Sequence, residues 1–167
     1  MSRRPGSGTV RRSEFVTAAA ALAALGLAGK RAAAGEQYQV THTDAQWRAL
    51  LGTDRYEILR QGGTEPAFSS PLIKQTERGT YRCAGCDIAL FSSKTKYDSG
   101  DGWPSFWDVL PNATRTKSDY ALVEERTEVH CRNCGGHLGH IFDDGPPPTH
   151  LRYCIDGLAL RFAPGAA

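Results

Sequence analysis

The hydrophobic rhythm of the chain changes twice. From Phe15 to Gly29 it is apolar, mostly Ala and Leu, and carries no charge. From Thr43 to Gly63 apolar residues recur at helical spacing. Thr43-Asp44-Ala45-Gln46 has capping-box spacing, a side-chain oxygen with Gln three residues later. Trp47, Leu50 and Leu51 then fall on one helical face. A second short helix is predicted over Asp54 to Arg60, where Tyr56 and Leu59 share a face and Gly62-Gly63 supplies a stop. From Thr80 onward segments are short, rich in Val, Ile, Tyr, Phe and Thr, and separated by Gly, Pro, Asn and Asp. Candidate strands are Gly79–Cys83, Ile88–Phe91, Tyr120–Val123, Arg126–His130, His137–Phe142, Leu151–Ile155 and Leu158–Phe162. Ser99-Gly100-Asp101-Gly102 and Gly145-Pro146-Pro147-Pro148 are loops. The pattern predicts a mainly β, mostly antiparallel domain with two short helices at its front end.

The first apolar run belongs to something else. Arg3, Arg4, Arg11 and Arg12 precede it, and Lys30-Arg31 and Ala32-Ala33-Ala34 follow it. A basic segment, a short apolar core and an Ala-x-Ala site make a signal peptide. The run is shorter than the roughly 18–20 apolar residues of a membrane-spanning helix, so cleavage near Ala34 and no stable membrane anchor are expected. Paired arginines point to the twin-arginine route, although Phe15 sits three residues after Arg12 where two is usual; a Sec signal is the alternative. Either route places the mature protein in the periplasm or outside the cell.

Removing residues 1–34 changes the charge picture. The full chain has 167 residues, 20 basic and 18 acidic. Six of the basic residues and one of the acidic ones lie in the signal, leaving 14 and 17, a net charge of −3. That gives no nucleic-acid footprint. The remaining 133 or so residues make one domain with a small core.

Four of the five cysteines form two pairs, Cys83-Ala84-Gly85-Cys86 and Cys131-Arg132-Asn133-Cys134. A Cys-x-x-Cys turn places two thiolates about one metal, and two such turns close a tetrahedral structural zinc site, one per chain. Gly85 and Gly135 are expected to supply the sharp turns. Disulfides are the alternative in an exported protein; a thioredoxin-like pair lacks its βαβ setting, and an iron–sulfur cluster fits the ligand count but less well the spacing.

Cys154 is left over. A lone buried Cys is often core filler, but its neighbours suit chemistry. His137 and His140 supply two imidazoles. They sit three apart on a strand, so a bend at Gly139 is needed to bring both to one site. Arg152, Cys154 and Asp156 share one strand face, and an arginine beside a thiol favours thiolate. Gly102-Trp103-Pro104-Ser105-Phe106-Trp107 offers an aromatic wall.

Over Thr43 to Pro164 the sequence resembles the B-type methionine sulfoxide reductases, which reduce methionine-R-sulfoxide. The resemblance rests on Gly63-Thr64-Glu65, Tyr81–Cys86, Asp98-Ser99-Gly100-Asp101-Gly102-Trp103-Pro104-Ser105-Phe106, Cys134–Phe142, Asp144-Gly145-Pro146 and Arg152-Tyr153-Cys154-Ile155. It implies two antiparallel sheets around a core, a β-tent, with Cys83, Cys86, Cys131 and Cys134 as zinc ligands and no organic cofactor. It implies Cys154 as nucleophile, His137 and His140 as the histidines that deliver or organise a proton, and Trp103 packing on the substrate methyl. Arg152 and Asp144 match a supporting shell. The divisions implied are a signal over 1–34, an extension over 35–42, the reductase domain over 43–164 and a tail over 165–167. Expected partners are oxidised proteins or peptides and a thioredoxin-like or small-molecule thiol, and a monomer is expected.

Two positions depart from that family. Asp101 stands where many members carry a resolving cysteine, so an external thiol must reduce Cys154 directly. Asp156 stands where asparagine is usual. Ionised, it favours a protonated histidine but opposes the thiolate; protonated, it is itself a donor. A zinc-bearing binding module of the same fold is the rival reading, and it has no need of Cys154, His137, His140 and Trp103 together. A disulfide-handling periplasmic protein is the other rival, told apart by zinc content and free-thiol count. His42, His130 and His150 fall outside the pattern, and Glu124-Glu125-Arg126 reads as a solvated hairpin tip.

Overall fold

In a computed structural model, residues 36–120 and 125–165 are described. The signal segment and most of the strand expected at Tyr120–Val123 lie outside them.

The helical region forms as the sequence predicts, as two helices joined at a kink. α1 spans Asp44–Gln61 and is interrupted at Gly52, whose φ of 70° and ψ of 175° break the helical ladder. Both halves of the capping box at Thr43 and Gln46 are made, and Gly62 closes the helix in the left-handed conformation. Trp47, Leu51, Tyr56, Ile58 and Leu59 are buried. Leu50 is not: it is 51% exposed. The kink ends the first helix one residue after Leu51, so only the i, i+4 pair of Trp47 and Leu51 reaches the core.

Among the described residues, nine strands build two antiparallel sheets. β1 (Gly79–Cys83), β2 (Ala89–Ser92) and β9 (Leu160–Pro164) form the smaller, in the order β2-β1-β9. The larger runs β3 (Lys96–Tyr97), β4 (Ser105–Phe106), β8 (Arg152–Ile155), β7 (His137–Phe142), β6 (Arg126–Cys131) and β5 (Thr114–Asp119). Aromatic side chains fill the space between them. Phe91 of the small sheet stacks on Phe106 of the large one at 4.4 Å, and Tyr81 meets the same ring edge-on at 4.9 Å. All three are fully buried, and each such burial contributes about 2–3 kcal/mol.

β5 was not legible. Thr114-Arg115-Thr116-Lys117-Ser118-Asp119 contains no apolar residue. It is the edge strand, and polar, charged edges are how sheets avoid pairing with other chains. The expected strand at Leu158–Phe162 begins two residues later, because Gly157–Ala159 forms a 3₁₀ turn first.

Candidate active site

The register of the large sheet decides which side chains meet. Lys117 pairs with Glu128, Asp119 with Arg126, Glu128 with His140, and His140 with Cys154. Directly paired residues point to the same face. One face of the sheet therefore carries a band of functional groups across four strands. The residues between them, Val129, Tyr153 and Ile155, point the other way and are buried in the core.

His137 joins this band through a bulge. The β6–β7 register shifts between Val129 and His130, leaving Leu138 as the extra residue. Gly139 carries the bend with a φ of 146°. A Cβ there would collide with the Cys154 carbonyl oxygen, so no other residue fits. As a result the His137 and His140 rings lie 5.4 Å apart, edge to face. The bend expected at Gly139 is present.

Thr64, Trp103, Arg126, Gly139, His140, Phe142, Cys154 and Asp156 line a cavity of roughly 140 Å³. Four of the residues singled out from the sequence meet here: Trp103, His140, Cys154 and Asp156. His137 faces the neighbouring cavity, with Glu128, Arg126 and the end of α1. Its Nε2 stands 3.9 Å from Asp156 Oδ2, and its Nδ1 stands 3.1 Å from Glu128 Oε1, near in distance but out of line for a hydrogen bond.

Arg152 and Asp144 stand outside that lining, clamped together. Arg152 Nε and Nη2 donate to the two Asp144 oxygens at 2.7 and 2.8 Å, and Nη1 donates to Asp101. Two carboxylates thus already balance this guanidinium. The consequence reaches the thiol. Burial pushes Cys154 up to about 11; Arg152 pulls the other way, and Asp101 and Asp156 add to the rise. An arginine beside the thiol does favour thiolate, as expected, but burial and two acids outweigh it. The resting thiol is protonated at neutral pH.

Asp156 is buried, and burial raises it to about 6; the Glu65 amide and His137 oppose that rise. Burial also lowers His140, against its hydrogen bond to Asp119 at 2.8 Å.

Glu65 ties the cavity wall together. Its amide donates to Asp156 Oδ1 at 3.0 Å, and its carbonyl accepts from Trp103 Nε1 at 3.1 Å. Its carboxylate accepts from the amides of Gly157 and Leu158 at 2.5 and 3.0 Å. This buried acid holds two site residues from different loops. Nothing in the run Gly63-Thr64-Glu65 marks Glu65 or Thr64 as part of the site. Asp119 and Glu128 carry no sequence signal of their place in it, and Arg126, expected at a solvated tip, lines the cavity and pairs with Asp119.

The other four cysteines gather elsewhere. Their sulfurs all lie within 4.8 Å of one another, with Cys83 and Cys134 at 3.7 Å and Cys86 and Cys131 at 3.5 Å. None is in a disulfide. Tetrahedral corners about 2.3 Å from a metal are about 3.8 Å apart, so four thiols so placed fit a metal ion such as zinc. Each pair closes a similar turn: Asp87 N–H donates to Cys83 O, and Gly135 N–H to Cys131 O. The left-handed residue is Gly135 in one turn and Asp87, not Gly85, in the other. It is the residue after the second cysteine in both.

A half-buried thiol, an imidazole and an indole thus meet at one small cavity, and four cysteines gather separately, on a two-sheet β fold. The SelR domain family matches residues 51–164. The peptide methionine sulfoxide reductase MsrB of Agrobacterium fabrum is 52% identical over 127 residues, 75% of this chain and 94% of the relative. The protein of that name from Leptospira interrogans is 51% identical over 126 residues, 75% and 96% of the two chains. That from Methanosarcina barkeri is 47% identical over 127 residues, 75% and 89%. The chain belongs to this MsrB family, and it is an oxidoreductase that reduces methionine sulfoxide.

Proposed function

We propose that the protein reduces methionine-R-sulfoxide within exported proteins through Cys154. The observation that carries this reading is the pairing of Cys154 with His140 in one cavity walled by Trp103. The Cys154 sulfur attacks the sulfoxide sulfur, and the S–O bond breaks. The oxygen passes to Cys154, which becomes a sulfenic acid, while the substrate leaves as methionine. Two electrons move from the cysteine sulfur to the substrate sulfur. Sulfur attacks as the thiolate, so the thiol gives up its proton as it attacks, and that proton ends on the oxygen. His140 moves that proton and His137 stands behind it; imidazole suits the task because it takes and gives protons near neutral pH. Trp103 presents its ring face to the methyl on sulfur, its indole held by Glu65.

Two equivalents of an external thiol then regenerate the enzyme. The first forms a mixed disulfide with Cys154 and water leaves; the second releases the cysteine. Cys83, Cys86, Cys131 and Cys134 hold zinc, and Asp101 offers no thiol, so no partner within the chain supports resolution. A thioredoxin-like or small-molecule thiol is the donor. Residues 1–34 serve as a twin-arginine export signal, the domain over 43–164 acts as a monomer, and the role is repair of oxidised proteins outside the cytoplasm.

The test is turnover of the R and S forms of methionine sulfoxide with dithiothreitol, with Cys154→Ser alongside. Consumption of the R form alone, lost in the variant, is expected. Turnover that survives in Cys154→Ser would overturn the reading.

A further inference from the structure

The hairpin of β5 and β6 supplies a second rank of charge behind the histidines. His140 Nε2 lies 2.8 Å from Asp119 Oδ2. Arg126 Nη2 donates to that same oxygen at 2.7 Å. Asp119 and Arg126 are direct cross-strand partners, so the backbone ladder fixes their relation. Both acid and imidazole are largely buried, with side chains 17% and 11% exposed. A carboxylate shielded from water and anchored by a guanidinium is a rigid acceptor.

We propose that Asp119, anchored by Arg126, is a positioning residue for His140: it holds the neutral imidazole as the Nε2–H tautomer, so that Nδ1 is the nitrogen that carries the proton to and from the cavity. The inference rests on the roles given above to Cys154 and His140. Its physical basis is the imidazole's two-sided chemistry. A carboxylate that accepts from one ring nitrogen fixes the tautomer and ring orientation and makes the other nitrogen a better base. The same carboxylate stabilises the imidazolium once it forms.

The charged and titratable groups that face His140 are Asp119 on β5, Arg126 and Glu128 on β6, His137 on β7, Cys154 on β8, and Asp156 just beyond β8. Of those that act on the ring, Asp119 favours the charged imidazole, while Arg126, His137 and burial disfavour it. Removing the Asp119 charge leaves the opposing influences alone. The imidazolium then survives only to lower pH, and the limb of the rate profile that needs it moves the same way.

The experiment measures kcat and KM for methionine-R-sulfoxide against pH in the native chain and in Asp119→Asn. The expected result is a loss of about 10- to 100-fold in kcat at neutral pH, a KM that changes little, and a basic limb displaced to lower pH. A profile of unchanged shape and midpoint would overturn the inference, because a merely structural defect scales the rate at every pH. A measurement on the native protein stands independently of how the variant folds: ¹⁵N NMR of the neutral His140 ring should show Nε2–H, and Nδ1–H would overturn the proposal. Activity that survives Cys154→Ser would instead remove the underlying reading, and it is distinguishable because Asp119 is intact there.

Discussion

Two regions of this molecule use the same side chain for opposite ends. Cys83, Cys86, Cys131 and Cys134 lie in two turns, mostly buried, with their sulfurs within 4.8 Å of one another. Cys154 lies within a strand, half-buried, facing a small cavity with an imidazole paired across from it. The four are mutual neighbours, spaced as the ligands of one metal ion such as zinc would be, and they form a structural knot. Cys154 has no sulfur partner among the described residues, and its polar neighbours are already engaged: Arg152 by Asp144 and Asp101, His140 by Asp119. Burial holds its thiol up at about 11. The difference teaches that geometry around a sulfur, rather than the sulfur itself, separates a ligand from a reagent.

The largest effect should come from the knot. Cys131→Ser leaves three thiols, and loss of the metal should cost on the order of 10 kcal/mol. Circular dichroism with and without a chelator checks this, and a protein that stays folded and metal-free would break the comparison from the structural side.

Gly139→Ala should follow. Its Cβ would overlap the Cys154 carbonyl, and the backbone there has a left-handed φ. We expect a cost of roughly 3 kcal/mol together with loss of turnover, while metal content is unchanged. Urea denaturation beside metal analysis reads both.

Asp156→Asn should be smaller and opposite in sign. The carboxyl is raised from 3.8 to about 6 by burial. A raised carboxyl binds its proton more tightly in the folded state, so it weakens the fold as pH climbs through about 4 to 6. Asn keeps the acceptor for the Glu65 amide without the charge. A gain of about 2 kcal/mol at pH 7, vanishing near pH 4, is expected. Equal stability differences at both pH values would show that Asp156 is not the titrating group. The rate–pH profile should differ as well, and superimposable profiles would remove Asp156 from the proton path.

The smallest effect belongs to Asp101→Asn. Asp101 raises the Cys154 thiol and occupies Arg152. Its removal should lower the thiol pKa from about 11, read as thiolate absorbance during a pH titration. An unchanged titration would show that Asp101 does not reach the sulfur. Mass spectrometry after one turnover without reductant is the companion measurement, and a disulfide within the chain through Cys154 would contradict the need for an external thiol.

Much of this molecule was legible in one dimension, for a physical reason. A capping box, a glycine stop, two Cys-x-x-Cys turns and a cysteine between arginine and aspartate are local, and local chemistry is written in adjacent letters. The helices and six of the nine strands among the described residues followed from it, while the residues around Cys154 came from the family resemblance. The polar edge strand β5 did not, because its apolar content is nil and its stability comes from the ladder to β6. Sequence position alone also overstated Arg152, whose charge reads as free until Asp144 and Asp101 are seen to hold it.

What the sequence determined by itself is the inventory: which groups are present, which turns they sit in, and that four sulfurs pair off while one does not. What only the tertiary structure decided is adjacency across strands. Asp119 lies 21 residues before His140 and Glu65 lies 91 before Asp156. Strand register, one bulge at Leu138 and a backbone conformation at Gly139 that only glycine fits bring them together. Register is set by burying Val129, Tyr153 and Ile155 on the opposite face, so the packing of the core chooses which charges meet at the site.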